Sequence, residues 1–249
     1  MRRRTLTELA NNPDLISGIY NYCDRWCERC PLTSRCLVYA TEQEDDDPPE
    51  SRDIRNEAFW RKLSSVFLET REMIVEWAKE AGVDLAGNGD EDDIRSHRKR
   101  QLTDNHPLAK SGKKYANAAS DWFREFDQTI EVSDSEGLED AREVVQWYQY
   151  QIAVKTIRAL SGRREEEGPE LGDFPRDSDG SAKVALIGID RSIAAWRLMQ
   201  LSLPARAGSI VTLILQLERL RQRLEKGFPE ARAFVRPGFD DNAIHRLHR

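Results

Sequence analysis

Between residues 54 and 81 the apolar positions Phe59, Leu63, Val66, Phe67, Thr70, Met73, Ile74, Trp77 and Ala81 recur at steps of three and four. That period gathers them on one helical face, with Glu69, Glu72 and Glu76 opposite and Gly82 as a natural C-terminal stop. The polar, acidic stretch at 87–104 reads as linker. Asn105 and Pro107 then have the character of a cap and first turn. They predict a helix over 106–131 with the face Leu108, Tyr115, Ala119, Trp122, Phe123, Phe126 and Ile130.

Ser133 and Glu136 have capping-box spacing for a further helix over about 136–161, ended by Gly162. Its stripe is Leu138, Ala141, Val144, Val145, Tyr148, Ile152 and Ala159. The composition of 163–180 is that of a loop. A helix over about 181–202 is apolar nearly all round, with a thin polar line at Lys183, Asp190 and Arg197. That pattern belongs to a central helix touched from several sides. Pro204 opens a last helix ending at Gly227, with Ile210, Leu213, Ile214, Leu217, Leu220 and Leu224 as its seam. No convincing strand alternation occurs. The expectation is an all-α protein, a bundle of about five long antiparallel helices over 51–227. A cysteine-rich helix-turn-helix segment (1–45) precedes it and a C-terminal extension (228–249) follows.

Composition sharpens this picture in two places. A charged fraction of 33% in 249 residues suits long amphipathic helices, and the formal net charge of −6 argues against general nucleic-acid binding. The longest apolar runs, VALIGI (184–189) and IVTLIL (210–215), fall far short of the roughly 20 residues that cross a bilayer. No apolar signal core follows the basic start MRRRTLTELANNPD, so the expectation is a cytoplasmic protein without a membrane partner.

All four cysteines of the chain fall within fourteen residues, in CDRWCERCPLTSRC. Thiols clustered in a reducing compartment favour metal or redox chemistry over structural disulfides. Their spacing, C-x3-C-x2-C-x5-C, suggests four-cysteine ligation by Cys23, Cys27, Cys30 and Cys36. A helix beginning near Pro13 and continuing through the motif would put Cys23, Cys27 and Cys30 on one face. Pro31 would stop it, and Thr33 or Ser34 would cap a second helix carrying Cys36. Seven helical residues rise about 10.5 Å, which spreads the thiols too far for one zinc ion and suits an iron–sulfur cluster, 4Fe-4S. The Cys30–Pro31 pair resembles ferredoxin-type ligation. Zinc is the alternative occupant, and it would make the protein an interaction module without chemistry.

The first three thiols also resemble the C-x3-C-x2-C of radical S-adenosylmethionine enzymes, over eight residues. Those enzymes set the motif after a barrel strand and leave one iron without a cysteine. Here the surroundings read helical and Cys36 offers a fourth ligand. Trp26, Arg25, Arg29 and Arg35, interleaved among the thiols, are expected to shield a cluster and offset its charge.

Inside the bundle, Lys155 falls in the apolar stripe seven residues after Tyr148. Glu143 mixes a charge with Trp147, Tyr150 and Val154 on a second face. A buried lysine needs a carboxylate or loses its proton, and Asp190 is an available partner. Lys155, Tyr148 and Asp190 are therefore a candidate pocket for a small anion. No histidine follows a glutamate at the three-residue step of di-iron carboxylate bundles, and no Ser/His/Asp or Cys/His arrangement suggests hydrolysis. The partner is expected to be a redox or other protein, a second copy of the chain among the candidates.

Overall fold

The protein is described by a computed structural model over residues 6–43, 53–82, 89–126, 136–166 and 177–240. All regular structure among these residues is helical. Two short helices, α1 (Leu6–Ala10) and α2 (Leu37–Gln43), flank the cysteine segment. The long helices are α3 (Glu57–Ala81), α4 (Gly89–Asp104), α5 (Pro107–Phe126), α6 (Glu136–Glu166), α7 (Asp177–Ser202) and α8 (Ala207–Gly227).

Four of them form the core as an up-and-down bundle. Gly162 lies against Ser178 while Gly188 lies against Tyr148 and Ile152, so α6 and α7 run antiparallel. Asp190 pairs with Arg221, and Arg197 with Glu218, which gives the same relation between α7 and α8. Trp122 bonds Ser209 and Ser111 bonds Arg223, so α8 is antiparallel to α5 as well. The α7 chain turns by 116° into α8 through a short turn at Pro204–Arg206. As its apolar pattern predicts, α7 is the central helix, buried on nearly every side from Ala182 to Met199. Its polar line serves as staples: Lys183 reaches Asp240, and Asp190 holds Arg221 and Arg232. Trp122, Phe123 and Trp196 pack edge-on and stacked at centroid distances of 5.0 to 5.6 Å. Burial pushes the Tyr115 hydroxyl, which accepts from Trp196, up to about 12.

Several boundaries differ from the sequence expectation, each for a physical reason. Gly162 does not stop α6, which continues to Glu166. A Cβ there would stand 3.2 Å from the Ser178 amide, so this glycine serves close approach of two helices instead of a cap. The helix α7 starts a turn early, with Asp177 and Asp179 at its positive end. The stretch expected as linker is largely the helix α4, whose mostly polar and charged residues form no apolar face. Ser133 and Ile130 lie outside the described residues, as does the side chain of Phe126.

The largest difference concerns α3. It forms as expected, with Asn56 accepting from the Ala58 amide and Gly82 at φ 66° closing the end. Yet only Ala78 is buried, and Phe67 and Trp77 are 65% and 60% exposed. Most of its apolar face stays exposed among the described residues, and α5 to α8 complete a core without it. At the other end, Phe228 and Ala231 are buried in that core, so the start of the expected C-terminal extension is packed against the bundle.

Candidate functional site

The cysteine segment is not helical. Three single 3-10 turns, Ile19–Asn21, Cys27–Arg29 and Thr33–Arg35, carry it instead. Gly18 at φ 71° ends any helix from Pro13, and Arg25 at φ 58° breaks the path between the first two thiols. Short polar residues that prefer turns (Asn21, Asp24) occupy the stretch, and a lone short helix has little stability of its own. Tertiary anchoring therefore decides the backbone. The face shared by Cys23, Cys27 and Cys30 does not exist, and the 10.5 Å spacing that separated zinc from a cluster falls with it.

The turns nevertheless bring the four thiols together. Cys23, Cys27, Cys30 and Cys36 line one cavity, walled by Ile19, Leu32, Val38 and Phe239. The Ile16 amide bonds the Arg35 carbonyl at 2.9 Å, closing the loop that holds them. All four are free thiols and partly buried. The Leu32 amide donates to Cys30 Sγ at 3.4 Å. Burial, followed by the charges of Glu42 and the other thiols, pushes the Cys27 thiol up. Burial dominates at Cys30 too and outweighs the Leu32 amide. Both stay protonated near neutrality, unlike the low-pKa thiols of nucleophilic or redox-sensing sites.

As donors for a metal group the residues fit in kind: four thiols around one largely apolar space, with no imidazole among them. Among the described residues, no three His, Cys, Asp or Glu side chains stand close enough to share one ion. The enclosed space is about 20 Å³, room for roughly one water. A cluster therefore requires the turns to open.

Asp24 fastens these turns to the bundle. Its Oδ2 accepts from the Tyr148 hydroxyl at 2.5 Å and from Arg191 Nη1 at 2.8 Å. Its backbone carbonyl accepts from Trp147 Nε1 at 2.9 Å and from Gln151. Trp26 stacks on Trp147 at 5.0 Å, with the Arg29 guanidinium 4.0 Å from the Trp26 ring centre. Arg29 then clasps Asp140 at 2.6 Å and also Glu143 on α6. Burial and the bond to Asp24 push the Tyr148 hydroxyl well above its ordinary range.

A second clasp comes from residues 228–240. Tyr22 packs on Phe234 over Gly180, where a Cβ would meet the Tyr22 ring at 2.3 Å. Gly238, at φ 76°, lets the chain close over Ile16 and Ile19. Burial alone would raise the Asp240 carboxyl, but bonds from Arg236 and Lys183 hold it well below the usual carboxylate range.

The three residues expected to share a pocket are placed apart. Tyr148 contacts Asp24. Lys155 is buried and donates to the Asn21 carbonyl at 2.9 Å, on the Cys23 side of the loop. Burial lowers its pKa, the Cys23 charge opposes this, and Arg158 and Arg25 add to it. Among the described residues it has no carboxylate partner. Asp190 is not its partner: it bonds Arg221 and Arg232 on the side of α7 facing α8. Of the residues expected to shield a metal group, Trp26 and Arg25 line the thiol cavity. Arg29 turns to α6, and Arg35 donates to the Asp14 carbonyl.

Asp24, Gln151 and Arg191 carry no sequence signal of their role. Trp147 and Glu143 did, as a charged aromatic face on an otherwise core helix. Compared with family models, curated proteins and solved structures, the chain matches none.

Proposed function

We propose that this is a helical-bundle iron–sulfur protein whose four cysteines hold a 4Fe-4S cluster, serving electron transfer or redox sensing in the cytoplasm. One observation carries the reading: every cysteine in the chain lines the same cavity, although three separate turns deliver them. Four cysteines on one cavity match in kind the four-thiolate ligation of such a cluster, for which the turns would have to open. When bound, such a cluster supplies reversible one-electron transfer at a potential set by burial, nearby charge and hydrogen bonds to sulfur.

The chain's own residues suit that task. The Leu32 amide already points at Cys30 Sγ. Lys155, buried beside Cys23 and paired with no carboxylate among the described residues, supplies positive charge toward a group that four thiolates would make negative. Trp26 and Phe239 wall the space against water. The Asp24 anchor fixes the turns on the α6–α7 frame.

A second reading has its own support. The narrow cavity favours a small occupant, and the helix that would have kept the thiols apart is absent. Zinc would then staple the turns to the bundle, and the protein would be an interaction module. Metal analysis of protein purified without oxygen separates the two. Brown protein with about four irons per chain supports the cluster, and colourless protein with one zinc supports the staple. In either case Cys27→Ser should strip the metal. Unchanged metal content in that variant would remove the four-cysteine ligand set itself.

A further inference from the structure

The thiol cavity has a larger neighbour. A cleft of about 710 Å³ opens between the cysteine turns, the α6–α7 pair and residues 236–239. That volume lies within the range of small-molecule sites. Its floor is apolar and formed of small side chains, Ala141, Val144, Ala194 and Ala195. Three guanidinium groups, Arg29, Arg191 and Arg236, reach it from three different elements.

Arg29 spends both terminal nitrogens on Asp140 and Glu143, and the Asp24 and Asp140 carboxylates also line the cleft, but the other two arginines keep free donors. Arg191 engages Asp24 and Tyr148 through Nη1 alone, which leaves Nη2 and Nε uncommitted among the described residues. Arg236 binds Asp240 through Nε and Nη2, leaving Nη1. A guanidinium carries five donors in a fixed fork that matches a carboxylate or phosphate. Asp24 and Tyr148 lock the Arg191 head, so little side-chain entropy remains to be lost on binding. Leu198 and the edges of Trp26 and Phe239 extend the apolar wall.

We infer that this cleft is a binding site for a small organic anion: a carboxylate or phosphate joined to a flat apolar body. The anionic group meets Arg191 and Arg236, and the body lies over the alanine floor. Cys30 belongs to the lining of both cavities, so the ligand sits against the thiol site. The cleft itself stands on the bundle and the arginines. Only its communication with Cys30 rests on the metal reading.

The test uses the full chain, metal-loaded and metal-free in parallel, with 2-naphthoate as probe and 2-naphthalenemethanol as its uncharged counterpart, followed by calorimetry. Saturable one-to-one binding of the naphthoate is expected, with the alcohol weaker by about tenfold or more. Arg191→Gln should weaken binding by at least about tenfold through loss of the charged donors. Ala194→Trp, at an exposed helix position, should do the same by filling the floor while leaving the Asp24 anchor intact. No saturable binding, or unchanged affinity in Ala194→Trp, would overturn the site. Equal binding of the alcohol, or unchanged affinity in Arg191→Gln, would overturn its assignment to anions. A metal-loaded chain that ignores naphthoate removes the cleft alone. A chain that never acquires metal yet binds naphthoate through Arg191 removes only the metal reading.

Discussion

Replacing Asp24 with alanine tests how the thiol loop is attached. The carboxylate gathers three donors: the Tyr148 hydroxyl at 2.5 Å, Arg191 at 2.8 Å, and the Trp26 amide at 3.3 Å. Tyr148 is fully buried, and leaving its hydroxyl proton without an acceptor costs about 1–3 kcal/mol. Arg191 is 55% exposed, so its ion pair is discounted to about 0.5 kcal/mol. The long Trp26 bond contributes about as little. The Asp24 carbonyl keeps Trp147 and Gln151, because those bonds belong to the backbone. The total is about 3 kcal/mol against docking of the turns, or an open population larger by a factor on the order of 100. In metal-free, reduced protein the rate of thiol modification by an aromatic disulfide reagent should rise by about that factor. The thermal midpoint of the bundle should barely move, because α5 to α8 close their core without the loop. Asp24→Asn, which keeps an acceptor for Trp26, should fall between the two. A change below about threefold in the alanine variant would mean that Asp24 does not hold the turns.

Other consequences are equally direct. Gly188→Ala puts a methyl 2.9 Å from the Tyr148 ring and 3.2 Å from Ile152, so overpacking should cost about 1–3 kcal/mol and lower the thermal midpoint by several degrees. Lys155 has its pKa lowered by burial, so the unfolded chain binds the proton more tightly. Its contribution must raise stability as pH climbs toward 10.5. Cys27 and Cys30, raised in the folded state, oppose this trend, so the difference between wild type and Lys155→Met in metal-free protein isolates the lysine. That difference should shrink with rising pH, and a constant offset would refute a buried ammonium. Finally, the amides of α3 should exchange much faster than those of α6 and α7, since one buried alanine holds that helix.

The bundle was readable because its signals are periodic and redundant. The seam of α8 and the all-round apolar surface of α7 follow from composition at helical spacing, and no alternative period competes. Failure came where one residue type serves two ends. Gly162 looks like a stop and is a contact point. The apolar face of α3 looks like core and stays largely exposed among the described residues. The cysteine motif was legible as a convergence of donors, but its backbone was not. A helix there agreed with Pro31 and the four-residue step, and what overrode it is tertiary: Asp24 and Arg29 bond to, and Trp26 stacks on, residues more than 110 positions away. No local pattern encodes such bonds. Lys155 shows the same division. Its burial was legible from the stripe, but its acceptor, a backbone carbonyl in the thiol loop, was not.

Whether the four sulfurs bind a cluster is asked most directly by metal content measured by mass spectrometry on anaerobically purified protein. Iron at about four atoms per chain with matching acid-labile sulfide, both lost in Cys27→Ser, is the predicted result. A stoichiometric single zinc, or protein that binds no metal with all four thiols titrating freely, would contradict it.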